Sequence, residues 1–124
     1  MDQDNSKLAA DLQRSLIDIA VEGWRFAKVF GRVLDKMDAG EGARYINQHR
    51  YYVKRLEESL EQVGLRFVNV EGSTYDPGMA ATAINIADFG PADRLLVDQV
   101  VEPIIMGPED LIRVGTIMLR KTTL

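Results

Sequence analysis

The chain changes rhythm at Gly64, and that change limits what it can become. Up to Gly64, apolar side chains recur at helical spacing; beyond it they come in short β-type runs bounded by Gly and Pro. A chain of 124 residues has room for one core rather than two generous ones. The sequence therefore predicts an α+β fold with two lobes: a helical dimerisation stalk and bundle over 1–63 and a small, mainly antiparallel β-wing over 64–124.

From Asn5-Ser6, two good N-cap residues, apolar side chains fall at Leu8, Leu12, Leu16, Ile19, Trp24, Ala27, Phe30, Val33, Leu34 and Met37. This predicts one helix from Ser6 to Met37, roughly 48 Å long at 1.5 Å per residue, with barely five residues before it. Gly23 and Gly31 cost helical stability and are expected to mark either a bend or, the favoured reading, points of close helix packing. Asp38-Ala39-Gly40-Glu41-Gly42 then reads as a loop.

A second helix is expected from Ala43, with Ile46, Val53, Leu56, Leu60 and Val63 near heptad rhythm. Gly64 suits the left-handed position after a helix end, with Leu65 folding back. A two-helix hairpin buries a single seam and is weak alone, so two copies completing a four-helix bundle is the expectation. Leu12, Leu16, Ile19, Phe30, Val33, Ile46, Val53, Leu56 and Leu60 are the candidate dimer contacts.

Composition narrows the function classes. The formal charge is −4 with 27% charged residues, which leaves no overall positive excess for nucleic-acid phosphates. There is no cysteine, hence no disulfide, thiolate nucleophile or zinc-thiolate site. Met1-Asp2-Gln3-Asp4 does not resemble a signal peptide, and no apolar stretch reaches membrane-spanning length. A cytoplasmic protein without membrane contact is the expectation.

Beyond Gly64, Arg66–Glu71, Ala83–Ile86, Leu95–Glu102 and Leu111–Arg120 read as strands. Tyr75-Asp76-Pro77-Gly78, Phe89-Gly90-Pro91 and Met106-Gly107-Pro108 carry turn chemistry. In the last run Ile112, Val114, Thr116 and Met118 alternate with Arg113, Gly115, Ile117 and Leu119, and neither set is cleanly polar. One face is thereby a candidate partner surface.

The order Val33-Leu34-Asp35, a loop, a helix ending Val63-Gly64-Leu65, then Gly72, Tyr75-Asp76-Pro77 and Leu111-Ile112-Arg113 resembles the GrpE family, the nucleotide exchange factors of DnaK-type chaperones. The match covers roughly residues 24–121. The resemblance implies an elongated homodimer with a paired-helix stalk, a four-helix bundle and one β-wing per protomer. It further implies that a wing holds the chaperone's ATPase domain open so that ADP leaves, without cofactor, metal or catalysis. Departures from the family pattern fall at Ala80 and Ala81 (usually His-Glu), at Pro103-Ile104-Ile105 (usually Lys-Gly-Tyr), at Gln48, at Val114 and at Asp110, which replaces an arginine. They spare the fold signals and strike the expected contact surface, so a GrpE-fold adaptor without exchange activity is the alternative.

His49, between Tyr45 and Tyr52 at helical spacing and without a carboxylate beside it, reads as a packed, hydrogen-bonded histidine. Trp24, Tyr45, Tyr51 and Tyr52 read as bundle core, and Glu57, Glu58 and Glu61 as a solvated face. The wing glycines form no phosphate-binding loop. Arg113 can pair with a carboxylate across an interface or simply guard a strand edge. Met106, Ile104, Ile105, Ile117 and Met118 form either a partner patch or the wing's core. Arg113, Asp110, Met106, Ile117 and Leu119 are the candidate chaperone contacts.

Overall fold

The computed structural model describes residues 2–122. Met1 and the last two residues of the expected wing, Thr123 and Leu124, lie outside them. The fold is α+β, helices first and sheets after. Contacts divide the chain into two compact units, Met1–Glu58 and Ser59–Leu124, a boundary five residues before the expected one.

The first unit is a helical hairpin. Helix α1 runs Asp2–Lys36 and α2 runs Ala39–Glu61. The connection is shorter than the expected five-residue loop, because Asp38 acts as an N-cap: its Oδ1 accepts the Glu41 N–H at 2.9 Å and its carbonyl accepts the Gly42 N–H at 2.8 Å. A cap of this kind outweighs the propensity cost of Gly40 and Gly42 in the first turn.

Gly23 and Gly31 are points of close packing, as the sequence suggests. A Cβ at Gly23 would stand 2.6 Å from the Tyr52 hydroxyl and 3.5 Å from Leu56, and one at Gly31 would stand 3.4 Å from His49 Nε2. His49 Nε2–H donates to the Ala27 carbonyl at 2.8 Å, and its ring lies 5.9 Å from Phe30. This histidine is structural.

The second unit begins with the helix end. Gly64 has φ +79°, its N–H donates to the Glu61 carbonyl, and the Leu65 N–H donates to the Leu60 carbonyl, each at 3.0 Å. This pair of bonds is a Schellman cap, and it folds Leu65 back so that Leu60 and Leu65 are both buried.

The wing is mainly antiparallel, as expected, but it is built of two three-stranded sheets rather than one. Strands β1 (Arg66–Val68), β4 (Ile104–Met106) and β5 (Leu111–Arg113) form one antiparallel sheet in the order β1-β4-β5. Strands β2 (Ala81–Ala83), β6 (Gly115–Lys121) and β3 (Leu95–Glu102) form the other, in which β2 runs parallel to β6 and β3 antiparallel.

The expected first strand stops at Val68. The expected strand Ala83–Ile86 ends at Ala83, because the Asn85 side chain takes over the ladder. It donates through Nδ2 to the Leu119 carbonyl and accepts the Leu119 N–H at Oδ1, both at 2.9 Å, before a 3₁₀ turn at Ile86–Asp88. The last expected strand is split at Val114.

That split has a steric cause. At Gly115 the backbone passes so close to the β3–β4 connection that a Cβ would lie 2.8 Å from Ile104 Cγ1, 2.9 Å from the Glu102 carbonyl oxygen and 3.1 Å from the Ile104 nitrogen. Val97, Val100, Pro103, Ile104, Ile105, Ile117 and Leu119 supply the wing's buried core.

The outer edge of β3 is closed by the chain before β2. Val97 exchanges bonds with Gly72 and Ser73, Tyr75 N–H donates to the Leu95 carbonyl, and the Glu71 carboxylate accepts the Val100 N–H at 3.0 Å. Such capping protects an edge strand from pairing with other chains. The Asp76-Pro77-Gly78 turn forms as the sequence implies, with Asp76 Oδ1 accepting the Gly78 N–H at 2.9 Å.

Candidate functional site

Two surfaces, one in each unit, have the chemistry of protein contacts. The first is on α1. Ala20, Ala27 and Leu34 are buried at steps of seven, while the residue before each of them, Ile19, Phe26 and Val33, is exposed. At about 100° per residue the two lines are roughly a quarter-turn apart, so α1 is apolar on two faces and the hairpin covers only one.

Leu12 extends the exposed line, giving Leu12, Ile19, Phe26 and Val33 in strict heptads; Ile19 is 68% and Phe26 66% exposed. An exposed apolar stripe in heptad register is a candidate surface for helix pairing. Fully burying a Leu, Ile, Phe or Val is worth about 1.5–3 kcal/mol, and with Leu12, Ile19, Phe26 and Val33 between 48% and 68% exposed roughly half of that is still to be gained at each by covering the stripe.

Of the dimer contacts expected from sequence, Leu12, Ile19, Val33 and Ile46 are exposed. Leu16, Phe30 and Val53 are half-buried, and Leu56 is turned to Gly23 inside the hairpin. Leu60 must be corrected: it is buried with the second unit, where the Schellman cap holds it against Leu65's turn.

Phe26 was missed, although the spacing 12-19-26-33 signals it; the neighbouring Trp24 and Ala27 draw the helical pattern onto the other face. Of the aromatic residues expected in the bundle core, Tyr45, Tyr51 and Tyr52 are exposed in the hairpin of a single chain. Trp24 is half-buried, with the Lys28 ammonium 4.9 Å from its ring centre.

The second surface lies on the wing. Register places Arg66, Met106 and Leu111 side by side across β1, β4 and β5, with Arg66 and Leu111 exposed and Met106 half-exposed. Residues opposite one another across a sheet share a face. Asp110 is exposed in the turn that joins β4 to β5, where its carbonyl accepts the Gly107 N–H at 2.8 Å. A cation, a thioether, a leucine and a carboxylate here make a mixed row suited to a protein partner.

Three expected contacts do not belong to this row. Ile117 and Leu119 are buried, because β6 turns Gly115, Ile117 and Leu119 inward as one alternating set. Ile104 and Ile105 are likewise core. Arg113 is half-buried and pairs with Glu102 of β3 at 3.5 Å, an ion pair that joins the two sheets of the wing. Arg66 and Leu111 were missed because cross-strand neighbours depend on pairing that local periodicity does not reveal.

The wing also has an open groove of about 750 Å³ lined by Tyr75, Pro77, Ile86, Pro91, Arg94 and Leu95, among others. Among the described residues, no three His, Cys, Asp or Glu side chains gather where a metal could be held. No helix among them is long and apolar enough to cross a membrane. No protein-family model, curated protein or solved structure matches the chain.

Proposed function

We propose that the chain is a nucleotide exchange factor of the GrpE type, a cytoplasmic homodimer whose β-wing binds the ATPase domain of a DnaK-type chaperone and promotes ADP release. The observation that carries the reading is the order of parts: a helical hairpin with an uncovered heptad stripe for a second copy, a Schellman cap at Gly64, then a wing with its own core. The resemblance in Val33-Leu34-Asp35, Tyr75-Asp76-Pro77 and Leu111-Ile112-Arg113 supplies the partner.

Such a protein needs no catalytic group. Binding the open nucleotide cleft better than the closed one weakens nucleotide affinity by the same factor, and a tenfold effect takes about 1.4 kcal/mol of preference. The test is release of a fluorescent ADP analogue from the cognate chaperone. Acceleration of at least about tenfold at micromolar protein is expected; an unchanged rate, beside a working exchange factor, refutes the proposal.

A second reading is an adaptor of the same fold that dimerises without promoting exchange. It is favoured by the loss of three expected contacts from the surface, since Ile117 and Leu119 are buried and Arg113 is engaged by Glu102. Chaperone binding without accelerated release would select it.

A further inference from the structure

The exposed seam of α1 is wider than its four heptad residues, and one of its borders carries charges divided by sign. At about 100° per residue, Leu8, Ser15, Glu22 and Val29 lie beside Leu12, Ile19, Phe26 and Val33, and all eight are exposed. One border of this seam is Ala9, Leu16, Gly23 and Phe30. The other is Asp4, Asp11, Asp18, Arg25 and Arg32, with acids in the N-terminal half and arginines in the C-terminal half. In the single chain Asp11 pairs with Arg14 and Glu22 with Arg25, each at 3.4 Å; exposed pairs of this kind hold loosely and accept a further partner across an interface.

In a symmetric pair, the direction of the second helix decides what each border meets. With parallel helices the two-fold axis runs along them and lays one border against the other: Asp11, Asp18 and Arg25 face Leu16, Gly23 and Phe30 of the second copy, and Glu22 faces Glu22. With antiparallel helices the axis crosses them and lays each border against itself. If that axis passes between Ala20 and Val21, Asp11 comes beside Arg32 of the second copy and Asp18 beside its Arg25, each offset by about 3 Å along the helix. The same register sets Leu12 against Val29, Leu8 against Val33, the large Phe26 against the small Ser15, and Ile19 against Glu22. Charge and shape therefore select the same arrangement.

We infer that a second copy of this chain binds the α1 seam antiparallel, centred between Ala20 and Val21, with Asp11 and Asp18 of each copy paired to Arg32 and Arg25 of the other. Complementary charges at such an interface fix direction and register more than they add strength, and like charges set opposite one another cost affinity. The inference rests on the homodimer of the exchange-factor reading and not on chaperone binding.

The chain has no cysteine, so a single spin label can be placed where it is wanted. Lys7→Cys and Asp35→Cys put one near either end of α1, at exposed positions off the seam. Each labelled protein should sediment as a dimer, and pulsed dipolar EPR should give about 40–50 Å between the two labels at either position, because the register separates them by about 40 Å along the helix. Labels within about 25 Å of each other would mean parallel helices about 8–10 Å apart, overturning the inference and leaving the exchange-factor reading intact. A monomer at about 100 μM would overturn the inference and the homodimer together. Unchanged nucleotide release beside an antiparallel dimer would refute only the exchange-factor reading. In the Asp11→Arg/Asp18→Arg variant the dimer dissociation constant should rise about tenfold or more, and adding Arg25→Asp and Arg32→Asp should restore it. Failure of either step overturns the inference.

Discussion

Gly115→Ala tests the close packing of β6 against the β3–β4 connection in the wing. The new methyl would sit 2.8 Å from Ile104 Cγ1, 2.9 Å from the Glu102 oxygen and 3.1 Å from the Ile104 nitrogen. Two of these three atoms are backbone and cannot swing aside as a side chain tip can. Relief requires the β3–β4 connection to move away from β6, which strains the Glu102↔Thr116 pairing and the bond from the Gly115 N–H to the Ala80 carbonyl.

Overpacking of this kind costs about 1–3 kcal/mol, and a weakened backbone bond adds about 0.5–1.5 kcal/mol. Alanine gains about 0.4–1 kcal/mol through the unfolded chain. The net is a loss of about 2 kcal/mol, readable as a lower urea midpoint by circular dichroism and as faster amide exchange along 115–121. Gly90→Ala is the control, since the nearest atom to its added Cβ is Asp93 Oδ2 at an ordinary 3.7 Å. Equal stability of the two variants would refute the reasoning.

Three further outcomes are expected. Gly64→Ala should cost about 1–2 kcal/mol in urea unfolding, because φ is +79° and the Cβ meets Pro108 Cγ at 3.2 Å; a neutral result would remove the cap from the account. Asn85→Ala should destabilise the wing by about 1–3 kcal/mol through the unsatisfied Leu119 backbone groups, and amide exchange at Leu119 should rise before that of the rest of β6. Ile19→Lys with Phe26→Lys should abolish self-association in sedimentation velocity while leaving the helical signal within a few per cent, since both side chains are exposed in the hairpin.

The helices and the turn at Gly64 were legible because their signals are local: a 3.6-residue period, a glycine at the left-handed position, and a leucine behind it. The α1–α2 connection was misread because two glycines suggest a loop, whereas one aspartate cap decided the matter. In the wing, the hidden facts are all nonlocal. Asn85 replaces a strand with its side chain, Gly115 is required by a connection crossing it, and the inward face of Ile117 and Leu119 depends on β2 and β3 flanking β6.

The same limit applies to the sites. Leu12, Ile19 and Val33 follow from helical spacing, while the row of Arg66, Met106 and Leu111 and the ion pair of Arg113 with Glu102 exist only once strands have paired.

The central proposal is most directly tested by the affinity of this protein for the chaperone's ATPase domain, measured nucleotide-free and again saturated with ADP. An exchange factor must bind the nucleotide-free form more tightly, by about tenfold or more, because coupling between the two ligands is reciprocal. Equal affinity for the two forms would contradict the account.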